Sequence, residues 1–212
     1  VGKHFPLSNR TIAMSLVTAV GSFGFFLSPL FTNYSLSNNG WVETLYYFSI
    51  FLMVGLIISF FVRSPSNSEN PEKTYNQTTT QALAEAFKNK SYVFLTAGFF
   101  VCGFHITLVG THVPQYVIDR GLENWTAATI LSLIGLFNIF GSLLSGYLST
   151  KISKKIVLSA IYTLRAFSII FFIFLPASNL SAIIFGASFG FLWLSTVPAT
   201  SGIVAHLFGT KY

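Results

Sequence analysis

The sequence predicts an all-α polytopic membrane protein with six transmembrane helices, and three observations carry that expectation. Hydrophobic residues make up 52% of the chain and charged residues only 8%, against about a quarter charged in soluble domains. The charges are segregated: residues 11–42, 44–62, 91–118, 124–150 and 166–210 contain no Asp, Glu, Lys or Arg. Each of these stretches has room for a span of about 20 apolar residues. Finally, loops rich in Lys and Arg alternate along the chain with loops that are poor in them.

In chain order, the spans are expected at 11–32, 43–62, 92–117, 126–149, 156–175 and 181–207. A helix bonds all of its backbone groups internally, as the bilayer interior demands. The Ser- and Asn-rich stretch Asn33–Gly40 reads as the loop between the first two spans, and Asp119-Arg120-Gly121 follows the third. Pro176-Ala177-Ser178-Asn179 separates the fifth from the sixth. Pro198 is expected to kink the sixth span. The longest connection, 64–90, begins with a polar stretch holding Pro65 and Pro71, and such a composition makes a flexible linker. It ends with a short helix starting at Thr80 or Gln81 and running to Lys88. That helix reads either as one lying on the membrane surface or as part of a solvated linker.

Loop charge sets the orientation. Lys3 and Arg10 precede the first span. Arg63, Lys73, Lys88 and Lys90 lie between the second and third, Lys151, Lys154 and Lys155 between the fourth and fifth, and Lys211 after the sixth. The intervening loops hold only Arg120, which is flanked by Asp119 and Glu123. Basic loops stay cytoplasmic, so both ends of the chain are expected on the cytoplasmic side, in the plasma (inner) membrane. The chain opens Val-Gly-Lys without an initiator Met, and its start is expected to be missing. The net charge of +6 belongs to these loops rather than to a basic patch with interleaved aromatics, so no nucleic-acid partner is expected.

Three segments carry a family resemblance. Gly146-Tyr147-Leu148-Ser149-Thr150-Lys151-Ile152-Ser153-Lys154-Lys155 resembles the loop motif Gly-x-x-x-Asp-Arg-x-Gly-Arg-Arg of the major facilitator superfamily. Gly146, Lys151, Lys154 and Lys155 match it, whereas Thr150 replaces the Asp and Ser153 the second Gly. Gly21-Ser22-Phe23-Gly24 with Pro29 resembles that family's helix 5, and Gly40-Trp41 resembles the opening of its helix 6. The resemblance implies a fragment of a twelve-helix fold covering helices 5 to 10. Residues 1–63 would be the last two helices of the N-terminal half, 64–90 the central cytoplasmic loop, and 91–212 the first four helices of the C-terminal half. The chain's partners would then be the lipid bilayer and the remaining helices of the same full-length protein. Within the family, Leu131 to Ser142 is similar to helix 8 of the monocarboxylate-porter branch, with Asn138 and Ser142 standing where that branch carries Asp and Arg.

Polar residues inside spans are the candidate functional groups. Arg165 lies about ten residues into its span, about 15 Å along the axis and near the bilayer centre. A charge there costs about 3 kcal/mol on insertion scales. It therefore either binds an anionic solute or bonds backbone carbonyls of a neighbouring helix, with Asn138 as a further candidate partner. His105 and His112 lie seven residues apart on one helix face, and Thr111 and Gln115 accompany them. These four read as solute-binding and cavity-lining groups, with a coupling proton on His, or as groups bonding adjacent helices. Asn138 reads the same two ways. Trp193 and Thr196 on the sixth span read as a gate or aromatic wall. No metal site, cofactor site or catalytic constellation is expected: one Cys and six carboxylates outside the span interiors supply none.

The function expected from the resemblance is secondary transport by alternating access of a small organic solute, first a monocarboxylate or other organic anion. The alternatives are an exporter of apolar drugs, favoured by 24 Phe residues and the missing helix-8 charges, and a six-helix scaffold or sensor that transports nothing.

Overall fold

The computed structural model describes residues 7–61 and 78–208. Arg63, Lys73 and the linker stretch 64–77 lie outside the described residues, as do Lys3 and Lys211. Among the described residues eight helices are formed: α1 (Leu7–Asn39), α2 (Trp41–Phe61), α3 (Thr79–Lys88), α4 (Lys90–Asp119), α5 (Asn124–Lys151), α6 (Lys154–Phe174), α7 (Asn179–Leu192) and α8 (Thr196–Phe208). Helices α1, α2, α4, α5, α6 and the α7–α8 pair make six segments long and apolar enough to cross a membrane.

Most helix ends differ from the expected spans by a few residues, and two larger differences each have a local cause. The expected loop at 33–40 is helical through Asn39. Its polar side chains turn back onto the helix, with Ser37 Oγ donating to Asn33 O at 2.8 Å and Asn38 Nδ2 to Tyr34 O at 2.8 Å. The reversal is left to Gly40 alone, whose φ of 87° is open to glycine at little cost. The sixth span is two helices rather than one kinked helix. Pro198 falls in the first turn of α8, where no intrahelical donor is needed. Its ring and missing N–H disrupt the turn before it, back to the Leu194 carbonyl, and Trp193–Ser195 leaves the helix.

The short helix before α4 forms with a capping box: Gln81 N–H donates to Thr78 Oγ1 and Thr78 N–H to Gln81 Oε1. Phe87 packs edge-on to Tyr92, and Tyr92 edge-on to Phe208, so α3 is tied to the ends of α4 and α8.

Helix α1 packs along α5, and α5 packs along α7 on another side. The apolar core sits between α4, α5, α6 and α7 and includes Val109, Ile130, Ile134, Phe172, Phe185 and Phe189. Phe172 stacks on Phe185 at 4.1 Å between ring centres. Helix α2 buries only Thr44, whose hydroxyl meets Ser35 Oγ at 2.8 Å. Most of the rest of α2 is apolar and exposed, as a surface facing lipid or further helices would be.

Candidate functional site

The site is built around the break in the sixth span. Ending α7 at Leu192 strips carbonyls and amides of their helical partners in the middle of an apolar bundle, and each such orphan costs several kcal/mol in hydrocarbon. Three side chains from two other helices bond these groups. Arg165 of α6 donates from Nη2 to Leu192 O and to Trp193 O, both at 2.6 Å. Asn138 of α5 accepts from Leu194 N–H at 2.7 Å. Ser145, two turns further along α5, donates to Ser195 O at 2.5 Å. Asn138 and Ser145 are seven residues apart and so share a helix face, which lets α5 follow the unwound strand.

Arg165 has no solvent exposure. Its Nη1 reaches Cys102 Sγ at 3.3 Å, and that sulfur lies 3.3 Å from Thr196 Oγ1. The guanidinium also lies over the rings of Tyr162 and Phe189, at 5.5 and 5.8 Å. Tyr162 is held in turn by donating to Gly98 O at 2.7 Å. The charge is thus distributed over carbonyl dipoles, a sulfur and two aromatic faces. Its Nε has no hydrogen-bond partner.

In front of the break, where α1 meets α5, lies a cavity of about 390 Å³. Helix α1 lines it with Thr18, Gly21, Ser22 and Phe25, α5 with Gly135 and Asn138, and the broken span with Trp193, Leu194 and Val197. Phe25 and Trp193 stack at 5.9 Å, with their planes 23° apart. Asn138 Nδ2 donates across the seam to Ser22 Oγ at 2.6 Å, and Ser22 donates to Thr18 O. None of the lining residues is charged.

The candidates therefore divide. Asn138 and Trp193 line the seam cavity, while Arg165 and Thr196 are buried behind the break and outside that lining. His105 is half-buried on α4, its Nδ1 enclosed without a hydrogen-bond partner. Thr111, His112 and Gln115 are exposed further along α4, and Gln115 Nε2 donates to Asp119 Oδ1 at 2.7 Å. In the loop motif, a Cβ at Gly146 would overlap the side chain of Ser15, so the glycine permits close contact of α5 with α1. Lys154 lies over Gly202 of α8, whereas Lys151 and Lys155 are exposed. Sequence reasoning missed Ser22, Phe25, Cys102 and Ser145 as members of this arrangement.

A chain whose described residues form six spans long and apolar enough to cross a membrane, one of them broken and clasped by buried polar side chains, is a polytopic integral membrane protein. The family model of the Major Facilitator Superfamily matches residues 1–212, and the chain belongs to that superfamily. It is 23% identical over 96% of its length to the uncharacterized MFS-type transporter YcxA of Bacillus subtilis, covering 51% of that protein. It is 22% identical over 73% of its length to the cis,cis-muconate transport protein of Acinetobacter baylyi, covering 40% of it. It is 26% identical over its full length to the riboflavin transporter MCH5 of Saccharomyces cerevisiae, covering 45% of it. The chain thus spans about half the length of the curated relatives it matches. No solved structure matches it significantly.

Proposed function

We propose that the full-length protein is a secondary transporter that moves a small organic solute by alternating access and holds it in the cavity between α1 and the broken span. The observation that carries this reading is the seam itself. On one side stands α1, a helix of the first half in the family reading. Opposite it stand α5 and the unwound segment Trp193–Ser195, and between them lie an amide, a hydroxyl and two stacked rings. Discontinuous helices at mid-membrane commonly mark transporter binding sites.

The wall contributed by this chain is uncharged and aromatic. Arg165, the one cation near the bilayer centre, turns both of its Nη atoms to the break. This favours a flat conjugated solute, held by ring stacking and an amide hydrogen bond, over a monocarboxylate held by Arg165. The names of two matched relatives, for riboflavin and for cis,cis-muconate, both denote conjugated organic molecules, the second of them a dicarboxylate.

The test uses the full-length protein in liposomes with riboflavin and cis,cis-muconate as labelled probes. Phe25→Leu and Trp193→Phe keep apolar volume but alter the stack, worth about 0.5–1.5 kcal/mol. Either variant is expected to raise the KM of a transported probe by about 3- to 10-fold. An unchanged KM in both variants, at normal folded yield, overturns the seam as the binding site.

A further inference from the structure

A second cavity, of about 740 Å³, opens between the N-terminal ends of α4 and α6 and the C-terminal end of α8. It lies away from the seam, and no part of the proposed transport cycle uses it. Its lining is largely apolar, with Phe94 and Leu95 of α4, Leu158 of α6 and Leu207 of α8, accompanied by Ser159 and Tyr162. Its rim is basic, with Lys154 and Lys155 beside His206, and no Asp or Glu lines it. Neither lysine has an ion-pair partner among the described residues. Helix α6 also starts on this rim. Its N-cap Ser153 makes no side-chain capping bond, which leaves the positive end of a 21-residue helix without an internal acceptor.

Two lysines and a helix N-terminus therefore share one rim, and no Asp or Glu is among the described residues that line it. The rim belongs to the charged end of the spans, at the depth of lipid headgroups, and an apolar slot leads from it along three helices. We propose that this cavity binds an anionic phospholipid. Its phosphodiester would sit at Lys154, Lys155 and the first amides of α6, and its acyl chain would lie along Phe94, Leu95 and Leu158. A small soluble phosphate would meet the same rim chemistry but leave the apolar slot unused. Basic pockets between membrane helices suit anionic headgroups for these reasons.

The experiment measures lipid binding to the purified full-length protein by native mass spectrometry. Phosphatidylglycerol, phosphatidylcholine with the same acyl chains, and soluble glycerol phosphate are titrated separately. Phosphatidylglycerol is expected to bind at least tenfold more tightly than phosphatidylcholine, and glycerol phosphate not to compete at equal concentration. Each Lys near an anionic headgroup is worth about fivefold. Lys154→Gln with Lys155→Gln should therefore weaken phosphatidylglycerol binding about 30-fold. Lys155→Gln alone, on an exposed side chain, should weaken it about fivefold even if the double variant folds poorly. Lys151→Gln, at an exposed position outside the cavity, should leave binding unchanged. Equal binding of the two lipids, no loss in Lys155→Gln, an equal loss in Lys151→Gln, or effective competition by glycerol phosphate would each overturn the assignment.

Discussion

Arg165 shows how one side chain can meet the cost of its own charge and of a defect elsewhere. A guanidinium near the bilayer centre must find acceptors, and a helix that unwinds there must find donors. The two needs cancel at Leu192 O and Trp193 O. Lysine lacks the planar fork that serves two carbonyls and the Cys102 sulfur together. Each charge-assisted bond is worth about 1.5–3 kcal/mol, and the orphaned carbonyls add their desolvation cost. Arg165→Gln is therefore expected to reduce the monodisperse yield of the full-length protein several-fold. The surviving protein should transport with a KM within about threefold of normal. A normal yield with a KM raised tenfold would instead assign the guanidinium to the solute. The need for acceptors was legible in the sequence, because Arg165 is the only charge between Lys155 and Lys211. Which acceptors it finds was not. The partners lie on other helices, and Cys102 and Ser22 look like ordinary apolar and small residues in their own segments.

At the scale of elements, charge-free apolar length placed the spans well and their ends less well. Apolar length is fixed by the bilayer, so six segments were readable from the absence of charge alone. Ser and Asn favour loops when their side chains compete with the backbone, but at 33–39 they bond carbonyls one turn back and the helix continues. Pro198 signalled irregularity but not a full break, since many membrane helices absorb a proline as a kink. The break depends on α5 approaching closely enough to supply Asn138 and Ser145. Gly141 allows that approach: a Cβ there would collide with the Phe191 carbonyl and lie 2.7 Å from Ser195 Oγ. Gly141→Ala must push α5 away from α7, and overpacking against backbone costs about 1–3 kcal/mol or more. Its thermal unfolding midpoint should fall by several degrees and its transport rate should drop. Gly103→Ala, on α4 with nothing within 4 Å of the new methyl group, serves as the control and should change neither. Equal midpoints for the two variants would show that the α5–α7 contact is looser than described.

At the scale of the whole molecule, α1 and α2 do not form a unit of their own. Helix α1 gives its long face to α5, and α2 leaves most of its apolar surface uncovered. The link between the first two spans and the last four therefore runs along α1 and α5: Ser22 meets Asn138, Ser15 meets Gly146, and Phe25 stacks on Trp193. Small side chains at Ser15, Ser22 and Gly146 let the two helices approach closely, which suits the proposed alternating-access movement at this surface. Its orientation in the membrane follows from the loop charges. Lys151, Lys154 and Lys155 lie on one connection, while the turn at Gly40 and the α6–α7 connection carry no Lys or Arg. By the positive-inside rule the first is predicted to face the cytoplasm and the other two the exterior. The prediction is tested with single cysteines in the full-length protein after any cysteines outside these 212 residues have been replaced. Cys102 stays, because at 2% exposure it is beyond reach of an impermeant reagent and it partners Arg165. Asn38→Cys and Asn179→Cys should react with an impermeant maleimide added to intact cells. Ser153→Cys should react only after permeabilisation. Labelling of Ser153→Cys from outside would invert the orientation and would place the basic cavity between α4, α6 and α8 at the outer leaflet.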